Sequence, residues 1–354
     1  MSRLTCRLGI GWGGLGGLCL VLAGLTPAGT GVEVAPDLRA EVVVVGVPRP
    51  VQVALDASAH LVILSHGWRG DAAAEIYRLE LAALPVDAAR SPRVVIPFFA
   101  EPRKAAFGSL ALDPRSSDLF MGEENGNRIY RLGAGGRLAL FGVGLNHLLG
   151  GSSLAFDRHG RLVVLDYTSP EEQQRSETPP PASFEGLGGN AYHGPVVFRL
   201  DPQEDVPLPR RFDLIAPILP SGSAGPAGIE PLFRFISAAT TAAGAIVLLD
   251  SVGELFTLAS DGALRPLARL PSGHYHRTHM AVGPDGSVFV SSGFQIRQIF
   301  RVSPTGAVTV VARNLGDPEG IAVDDSGDLY VAESALHRVI RIRAPIRPPR
   351  ASPQ

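Results

Sequence analysis

Histidine and carboxylate side chains are the residues of this 354-residue chain with the clearest capacity for chemistry. Four carboxylates stand where short apolar segments end: Glu123, Asp166, Asp250 and Glu333. His274, His276 and His279 lie within six residues of one another, and strand alternation would place His274 and His276 on one face. Imidazole can bind a metal or accept a proton near pH 7, and carboxylates can hold a divalent cation or act as acid or base. The residue types therefore indicate a binding, metal or acid–base site.

A repeated cassette of short apolar segments must position these side chains. Its clearest copy has a strand at 321–323, a tight turn at 324–327, a returning strand at 329–333 and a third strand at 338–342. Related copies begin near Val53, Leu110, Leu154, Ile236 and Met280. The copies repeat about every 40 to 60 residues, as the four-stranded blades of a β-propeller do, and one such sheet cannot bury both of its faces alone. We therefore predict an all-β, six-bladed β-propeller over residues 42–344.

The two ends of the repeat region are predicted to close the ring. The last copy has only three strands, whereas Glu41–Val47 is a lone apolar segment with no hairpin of its own. This segment would supply the missing fourth strand of the last blade. Glu75–Leu79 lies in an alanine-rich stretch that resembles a short helix, but it is predicted as a strand because it matches the third-strand register. A pair of sandwich sheets is disfavoured because sandwiches do not repeat one turn motif six times.

Residues 1–28 are predicted to be a secretory signal peptide. Arg3 and Arg7 precede an uncharged apolar run at 8–25, and small residues follow at 26–28. An uncleaved anchor is disfavoured because the many glycines would weaken a membrane helix. Both cysteines, Cys6 and Cys19, fall in this segment, so the mature chain would contain no thiol. The chain is expected to be exported to the periplasm or the extracellular space.

The remaining segments are predicted to be irregular. Residues 29–41 would form a linker, 168–193 and 202–228 long loops, and 345–354 a disordered tail, because these stretches are rich in proline, glycine or polar residues. The chain is 45% hydrophobic with a net charge of −2, which excludes a wholly disordered protein. That charge also gives no reason to expect nucleic acid or a membrane surface as a partner. A small-molecule ligand is expected, and a protein partner stays open.

The last copy carries a family resemblance. The segment 318–333, followed by 338–342, resembles an NHL-type repeat and is similar to blades of the senescence-marker and gluconolactonase superfamily, which has a TolB-like six-bladed fold. The resemblance implies the propeller and, for the lactonases, a divalent metal at the axis held by one Glu, two Asn and one Asp. The six strand starts of this chain carry no asparagine: they are Val51, Gly108, Ser152, Ile236, Thr278 and Glu319. The metal-binding set therefore does not carry over as a whole.

A narrower resemblance covers residues 274–290. This segment is similar to one blade of quinoprotein sugar and sorbosone dehydrogenases, which implies pyrroloquinoline quinone as cofactor and a histidine base, here His276 or His279. The next blade of those enzymes carries an Asn-Pro and Trp signature. This chain has the plain repeat at 317–333 instead.

Three functional hypotheses follow from the rim where first strands begin and second strands end. The first is ligand or partner binding without catalysis, with the candidate residues His66, Trp68, Tyr192, His193 and His274. The second is a lactonase-type hydrolase dependent on Ca²⁺ or Zn²⁺, with the candidate metal ligands Asp166, Asp250, Glu319 and Glu333. The third is the quinoprotein dehydrogenase. The candidate catalytic residues are His276, His279 and Asp250.

The carboxylates also have a purely structural interpretation. Each could accept hydrogen bonds within its own turn, or pair with the arginine that opens the third strand, such as Arg128 or Arg338.

Overall fold

The computed structural model describes residues 31–66, 74–96, 107–123, 128–133, 135–145, 153–168, 194–219, 234–259 and 263–343. These residues form six mainly antiparallel sheets. The first strands of the six sheets contact one another in a closed cycle, so they surround a central axis. The predicted all-β, six-bladed propeller is confirmed.

Each blade runs outward from a first strand beside the axis. The chain begins with β1 (Glu33–Val34) and β2 (Arg39–Val45). Blade 1 contains β3 (Pro50–Leu55), β4 (His60–Ser65), β5 (Ala74–Glu80) and β7 (Arg93–Ile96), and β6 (Val86–Asp87) pairs with β2. Blade 2 contains β8 (Phe107–Leu112), β9 (Leu119–Glu123), β10 (Ile129–Leu132) and β11 (Leu138–Val143). Blade 3 contains β12 (Leu154–Phe156), β13 (Leu162–Thr168) and β14 (Gly194–Leu200), and β15 (Arg210–Arg211) pairs with β11.

The second half of the chain repeats the pattern. Blade 4 contains β16 (Phe235–Thr240), β17 (Ile246–Asp250), β18 (Glu254–Leu258) and β19 (Leu264–Arg269). Blade 5 contains β20 (Met280–Val282), β21 (Val288–Ser291), the short helix α1 (Gly293–Ile296), β22 (Ile299–Val302) and β23 (Val308–Arg313). Blade 6 contains β24 (Pro318–Val323), β25 (Leu329–Glu333), β26 (Arg338–Arg343) and β2. Single 3₁₀ turns cover Leu81–Ala83, Ala88–Arg90, Phe212–Leu214 and Ser334–Leu336.

The aspartate of the first hairpin turn fixes the turn geometry. Oδ1 of Asp157 accepts hydrogen bonds from the backbone N–H of His159 and of Arg161, both at 2.9 Å. Asp324 makes the same pair of contacts with the N–H groups of Ser326 and Asp328. A short side chain that bonds its own backbone two residues ahead favours a tight turn. The repeated aspartate is therefore part of the hairpin.

The ring closes as the sequence predicts. β2 pairs antiparallel with β26, from Arg39 opposite Arg343 to Val45 opposite Arg338. The Glu41 carboxylate accepts hydrogen bonds from Nε of Arg341 at 2.6 Å and from Nε of Arg343 at 2.9 Å. β1 adds a fifth strand to blade 5 by pairing with β23, although its residues fall in the predicted linker. The N-terminal segment thus joins two blades.

The core lies between neighbouring blades. At the interface of blades 2 and 3, the rings of Phe120 and Phe141 meet edge to face at 4.8 Å, and those of Phe198 and Phe212 meet at 5.2 Å. Phe212 is fully buried, and within the predicted loop at 202–228 the described residues 202–219 include β15 and a 3₁₀ turn. Val197 and Leu219 also form an antiparallel bridge at the outer side of blade 3, next to β14. The segments 1–28 and 345–354, and almost all of the loop at 168–193, lie outside the described residues.

No helix among the residues described is both long enough and apolar enough to cross a membrane.

Candidate functional site

The predicted rim exists where first strands begin. Pro50 stands opposite Ser65, Phe107 opposite Glu123, Phe235 opposite Asp250, and Pro318 opposite Glu333. The ends of the second strands therefore lie beside the starts of the first strands, as expected for this topology. We call this face the upper rim.

Several rim histidines connect neighbouring blades. Nε2 of His66 donates to the carbonyl oxygen of Phe107 at 2.6 Å, which joins blade 1 to blade 2. Nδ1 of His337 accepts the Arg49 N–H at 2.9 Å, which joins blade 6 to blade 1. His66 was a predicted ligand-binding residue, and the structure places its ring in a structural hydrogen bond. Trp68, Tyr192 and His193 lie outside the described residues.

His279 is buried inside the ring rather than displayed on it. Its Nδ1 donates to the Glu319 carbonyl oxygen at 2.8 Å, and the residue is 1% exposed. Burial lowers its pKa to about 4, even though the backbone groups of Glu319 and Gly108 favour the charged form. The ring is therefore neutral near pH 7. Because a substrate cannot reach a side chain this deep, the geometry does not support His279 as a catalytic base.

His279 belongs to a layer of buried polar side chains on or beside the first strands. The layer consists of Gln52, Ser109, Ser153, Ser237 and His279. Oγ of Ser153 donates to Oγ of Ser109 at 3.0 Å, which links blades 2 and 3. We call this set the polar layer. Each member stands four residues before the turn residue of its blade, a regularity that aligning the copies could have shown.

Glu333 is held by its own blade. Its Oε2 accepts a hydrogen bond from Nε of Arg338 at 2.6 Å, and its Oε1 accepts the Gly316 N–H at 2.7 Å. The side chain is fully buried. Both oxygens are engaged, so the structural interpretation holds for this residue.

The equivalent glutamate of blade 2 behaves differently. The predicted ion pair of Glu123 with Arg128 does not form, since Arg128 hydrogen bonds to Tyr130 and acts on Glu123 only through its charge. Glu123 is 4% exposed, and burial raises its pKa. The glutamate and the arginine are five residues apart in both blades, but the arginine of blade 2 has a different hydrogen-bond partner.

Asp166 and Asp250 cap the backbone that follows them. Oδ1 of Asp250 accepts the N–H groups of Val252 at 3.0 Å and Glu254 at 2.7 Å. Desolvation raises the pKa of Asp250 to about 6, although these backbone hydrogen bonds oppose the shift. Asp166 is 4% exposed, and its Oδ1 accepts the Tyr167 N–H at 2.9 Å. Both aspartates are buried.

The four predicted metal ligands do not converge. Within the described part of the chain, no three histidine, cysteine, aspartate or glutamate side chains lie close enough to hold a metal ion. Asp166 belongs to blade 3, Asp250 to blade 4, and Glu319 and Glu333 to blade 6. Glu319 accepts a hydrogen bond from Oγ of Ser334 at 2.8 Å. The donor set that the lactonase resemblance implies is therefore not assembled by these residues.

Among the described residues of the upper rim, the segment 271–278 exposes two histidines, and we call it the histidine loop. His274 and His276 are exposed, and their rings stack at 6.3 Å with planes 22° apart, although this segment is a loop and not the strand on which the predicted alternation was based. Tyr275 between them is fully buried, and its hydroxyl donates to the Pro271 carbonyl oxygen at 2.8 Å. The buried tyrosine anchors the loop and directs both histidines outward.

Arg277 completes the loop beside the axis. Its backbone is left-handed, with φ of 52°, and its side chain is 28% exposed. Nη1 lies 3.9 Å from Oε1 of Glu319, a carboxylate that is almost fully buried. Left-handed backbone at a non-glycine residue costs about 1 to 3 kcal/mol and is concentrated at binding and catalytic sites. Sequence reasoning missed Arg277, because an arginine between histidines carries no spacing signal.

Comparison with known proteins agrees with this architecture. Residues 315–342 match the NHL repeat. No curated protein matches the chain by sequence. The predicted resemblance to NHL-type propellers is confirmed for this blade.

Solved structures extend the likeness to the whole ring. The PQQ domain of pyranose dehydrogenase from Coprinopsis cinerea is 12% identical with a TM-score of 0.60, and the match covers 88% of this chain and 97% of that one. A gluconolactonase from Xanthomonas campestris is 16% identical with a TM-score of 0.53, covering 87% and 90%. Virginiamycin B lyase from Staphylococcus aureus is 10% identical with a TM-score of 0.54, covering 88% and 99%. At these identities the likeness establishes the fold alone.

Proposed function

We propose that the protein is a binding propeller whose histidine loop takes a small acidic, sugar-like ligand at the upper rim. The observation that carries the proposal is the Arg277 guanidinium, held by left-handed backbone beside the axis and next to two exposed histidines. A guanidinium can bind a carboxylate through two parallel hydrogen bonds, and imidazole donors suit hydroxyl groups. The exposed groups of the loop are therefore matched to an anionic, hydroxylated molecule.

Binding is favoured over catalysis because two of the candidate acids hold the fold together. Glu333 is held by Arg338 and by the Gly316 N–H, and Asp250 caps the turn that follows it. His279 lies inside the ring. The groups that the histidine loop exposes to solvent can therefore bind a ligand through hydrogen bonds and charge.

We expect Arg277→Ala to weaken gluconate binding about tenfold or more, because a hydrogen bond to a charged group contributes about 1.5 to 3 kcal/mol. Isothermal titration calorimetry with gluconate, and with glucose as the uncharged comparison, measures the effect. Arg137→Ala is the matched control, since this exposed arginine lies in the turn between β10 and β11 on the opposite face. Equal gluconate affinity in the Arg277 and Arg137 variants would rule out the proposed site.

The lactonase hypothesis provides the competing outcome. Its resemblance implies turnover of gluconolactone that requires added Ca²⁺ or Zn²⁺ and is lost in Glu319→Gln or Asp250→Asn. Metal-dependent hydrolysis with that loss would replace the binding proposal. Dye reduction with an aldose and added quinone, lost in His276→Ala, would favour the dehydrogenase hypothesis instead.

We also propose that the protein is exported and loses residues 1–28. The mature chain would then begin at Gly29, four residues before β1, so that β1 and β2 remain available to blades 5 and 6. Intact-mass measurement of protein collected from the periplasm or medium tests this. Material that retains Cys6 and Cys19 would contradict cleavage.

A further inference from the structure

A cavity lies at the end of the axis opposite the upper rim. It has a volume of about 450 Å³ and opens on the face that carries the first-to-second strand hairpins. The first strands of blades 2 to 5 provide much of its wall, and its lining includes Ala111, Ala155, Phe156, Arg158, Ala239 and Ala281. It is separate from the histidine loop, none of whose residues line it.

A repeated alanine contributes to the wall, and four of its six copies line the cavity: Ala111, Ala155, Ala239 and Ala281. In every blade the same position of the first strand carries alanine: Ala54, Ala111, Ala155, Ala239, Ala281 and Ala322. Small side chains around the axis leave room that larger ones would fill. Most of the lining residues are apolar, and the polar ones are Gln52 of the polar layer and, at or near the mouth, Asp157, Arg158, Thr240 and Thr241. The cavity therefore combines apolar side chains with polar groups.

One arginine, Arg158, and one carboxylate, Asp157, line the mouth of the cavity. Nη1 of Arg158 donates to the Ala242 carbonyl oxygen at 3.3 Å, and its Nε donates to the His159 ring at 3.0 Å. The neighbouring Asp157 carboxylate is occupied by Nε of Arg161 at 2.7 Å and by backbone N–H groups. Among the described lining residues, no carboxylate pairs with Arg158. An anion at the mouth would therefore not compete with a lining carboxylate for Arg158.

We propose that this axial cavity binds a small amphipathic carboxylic acid. Its apolar body occupies the alanine-lined wall and its carboxylate lies at Arg158. The volume falls within the 300 to 1,000 Å³ that is usual for small-molecule sites, which are mainly apolar with a few fixed polar groups. An anionic head group is favoured because arginine binds carboxylates strongly. The inference does not depend on the proposed function of the upper rim, because the two sites share no residue.

Titration of the full mature chain with decanoate, below its micelle concentration, tests the proposal. We expect saturable one-to-one binding that Ala242→Trp reduces at least tenfold, since Ala242 is an exposed turn residue at the mouth and tryptophan there obstructs entry. Ala243→Trp is the matched control: the adjacent alanine is equally exposed but does not line the cavity. This control variant should bind decanoate as the unmodified protein does.

Arg158→Gln separates the charge from the cavity. We expect it to weaken decanoate about tenfold while decanol binding stays unchanged, because only decanoate presents an anion. Circular dichroism and melting temperature show that each variant is folded. Absence of decanoate binding in the unmodified protein, or equal affinity in Ala242→Trp and Ala243→Trp, would overturn the proposal. Equal loss of decanol and decanoate in Arg158→Gln would overturn the assignment of the head group.

Discussion

Glu333→Ala should lower the free energy of unfolding by about 3 to 5 kcal/mol. The substitution removes the carboxylate that pairs with the Arg338 guanidinium, which is 14% exposed, and removes the acceptor of the Gly316 N–H. Breaking a buried pair by removing one partner has an effect of this size, because the remaining charge stays desolvated. Urea unfolding followed by circular dichroism measures the change.

A surface pair of the same chemistry serves as the control. Glu254 and Arg269 lie 3.5 Å apart in blade 4, with 35% and 71% of their side chains exposed. Solvent screens this pair, so Glu254→Ala should cost less than about 1 kcal/mol. Similar losses of unfolding free energy in both variants would mean that Glu333 does not hold blade 6 together. Glu333 would then again be a candidate metal ligand.

The second large effect is a pair of opposite pH dependences from Asp250 and His279. The pKa of Asp250 in the fold, about 6, lies above its usual 3.8, so folding favours the protonated acid. Its contribution to stability is complete below pH 3.8 and is lost as the pH rises through 6. The pKa of His279, about 4, lies below its usual 6.5, so folding favours the neutral ring. That contribution is complete above pH 6.5 and is lost as the pH falls to 4. In the unmodified protein the contributions of Asp250 and His279 to stability change in opposite directions over the same range of pH.

Single substitutions should reveal each dependence. In Asp250→Asn only the pH dependence of His279 remains. The free energy of unfolding of this variant should therefore fall by roughly 3 kcal/mol as the pH is lowered from 6.5 to 4. In His279→Gln only the pH dependence of Asp250 remains. The free energy of unfolding of this variant should therefore rise by roughly 3 kcal/mol over the same decrease in pH. Urea unfolding at several pH values measures both, and the difference between the variants cancels the carboxylates that they share. Parallel pH curves in the two variants would contradict the assignment.

The fold was predictable because its signals are local and repeated. The hairpin at Asp324 needs only a turn residue between two apolar segments, and the six copies share it or a degenerate form of it. Ring closure followed from counting strands, since the last copy lacked one and Glu41–Val47 was unpaired. A pattern of this kind survives because each blade must present the same faces to its neighbours.

The roles of the rim residues were less predictable because they depend on side-chain direction. Topology brings His66 to the upper rim, but its hydrogen bond to Phe107 joins residues 41 positions apart. Glu123 and Glu333 each have an arginine five residues ahead, yet Arg338 pairs with its glutamate and Arg128 turns to Tyr130. The axial cavity forms because six first strands meet around one axis. The sequence of a single copy of the repeat does not show how far apart those strands lie.

The pairing of β2 with β26 has a consequence for how the protein folds during its synthesis. Glu41 and Arg341 are separated by 300 positions, so the contacts that seal the ring span nearly the whole polypeptide. A growing chain therefore holds an incomplete, open arc until its last strand emerges from the ribosome. The exposed edge of β26 is covered only when the opposite end of the chain returns to it, a late step with a large loop-closure entropy.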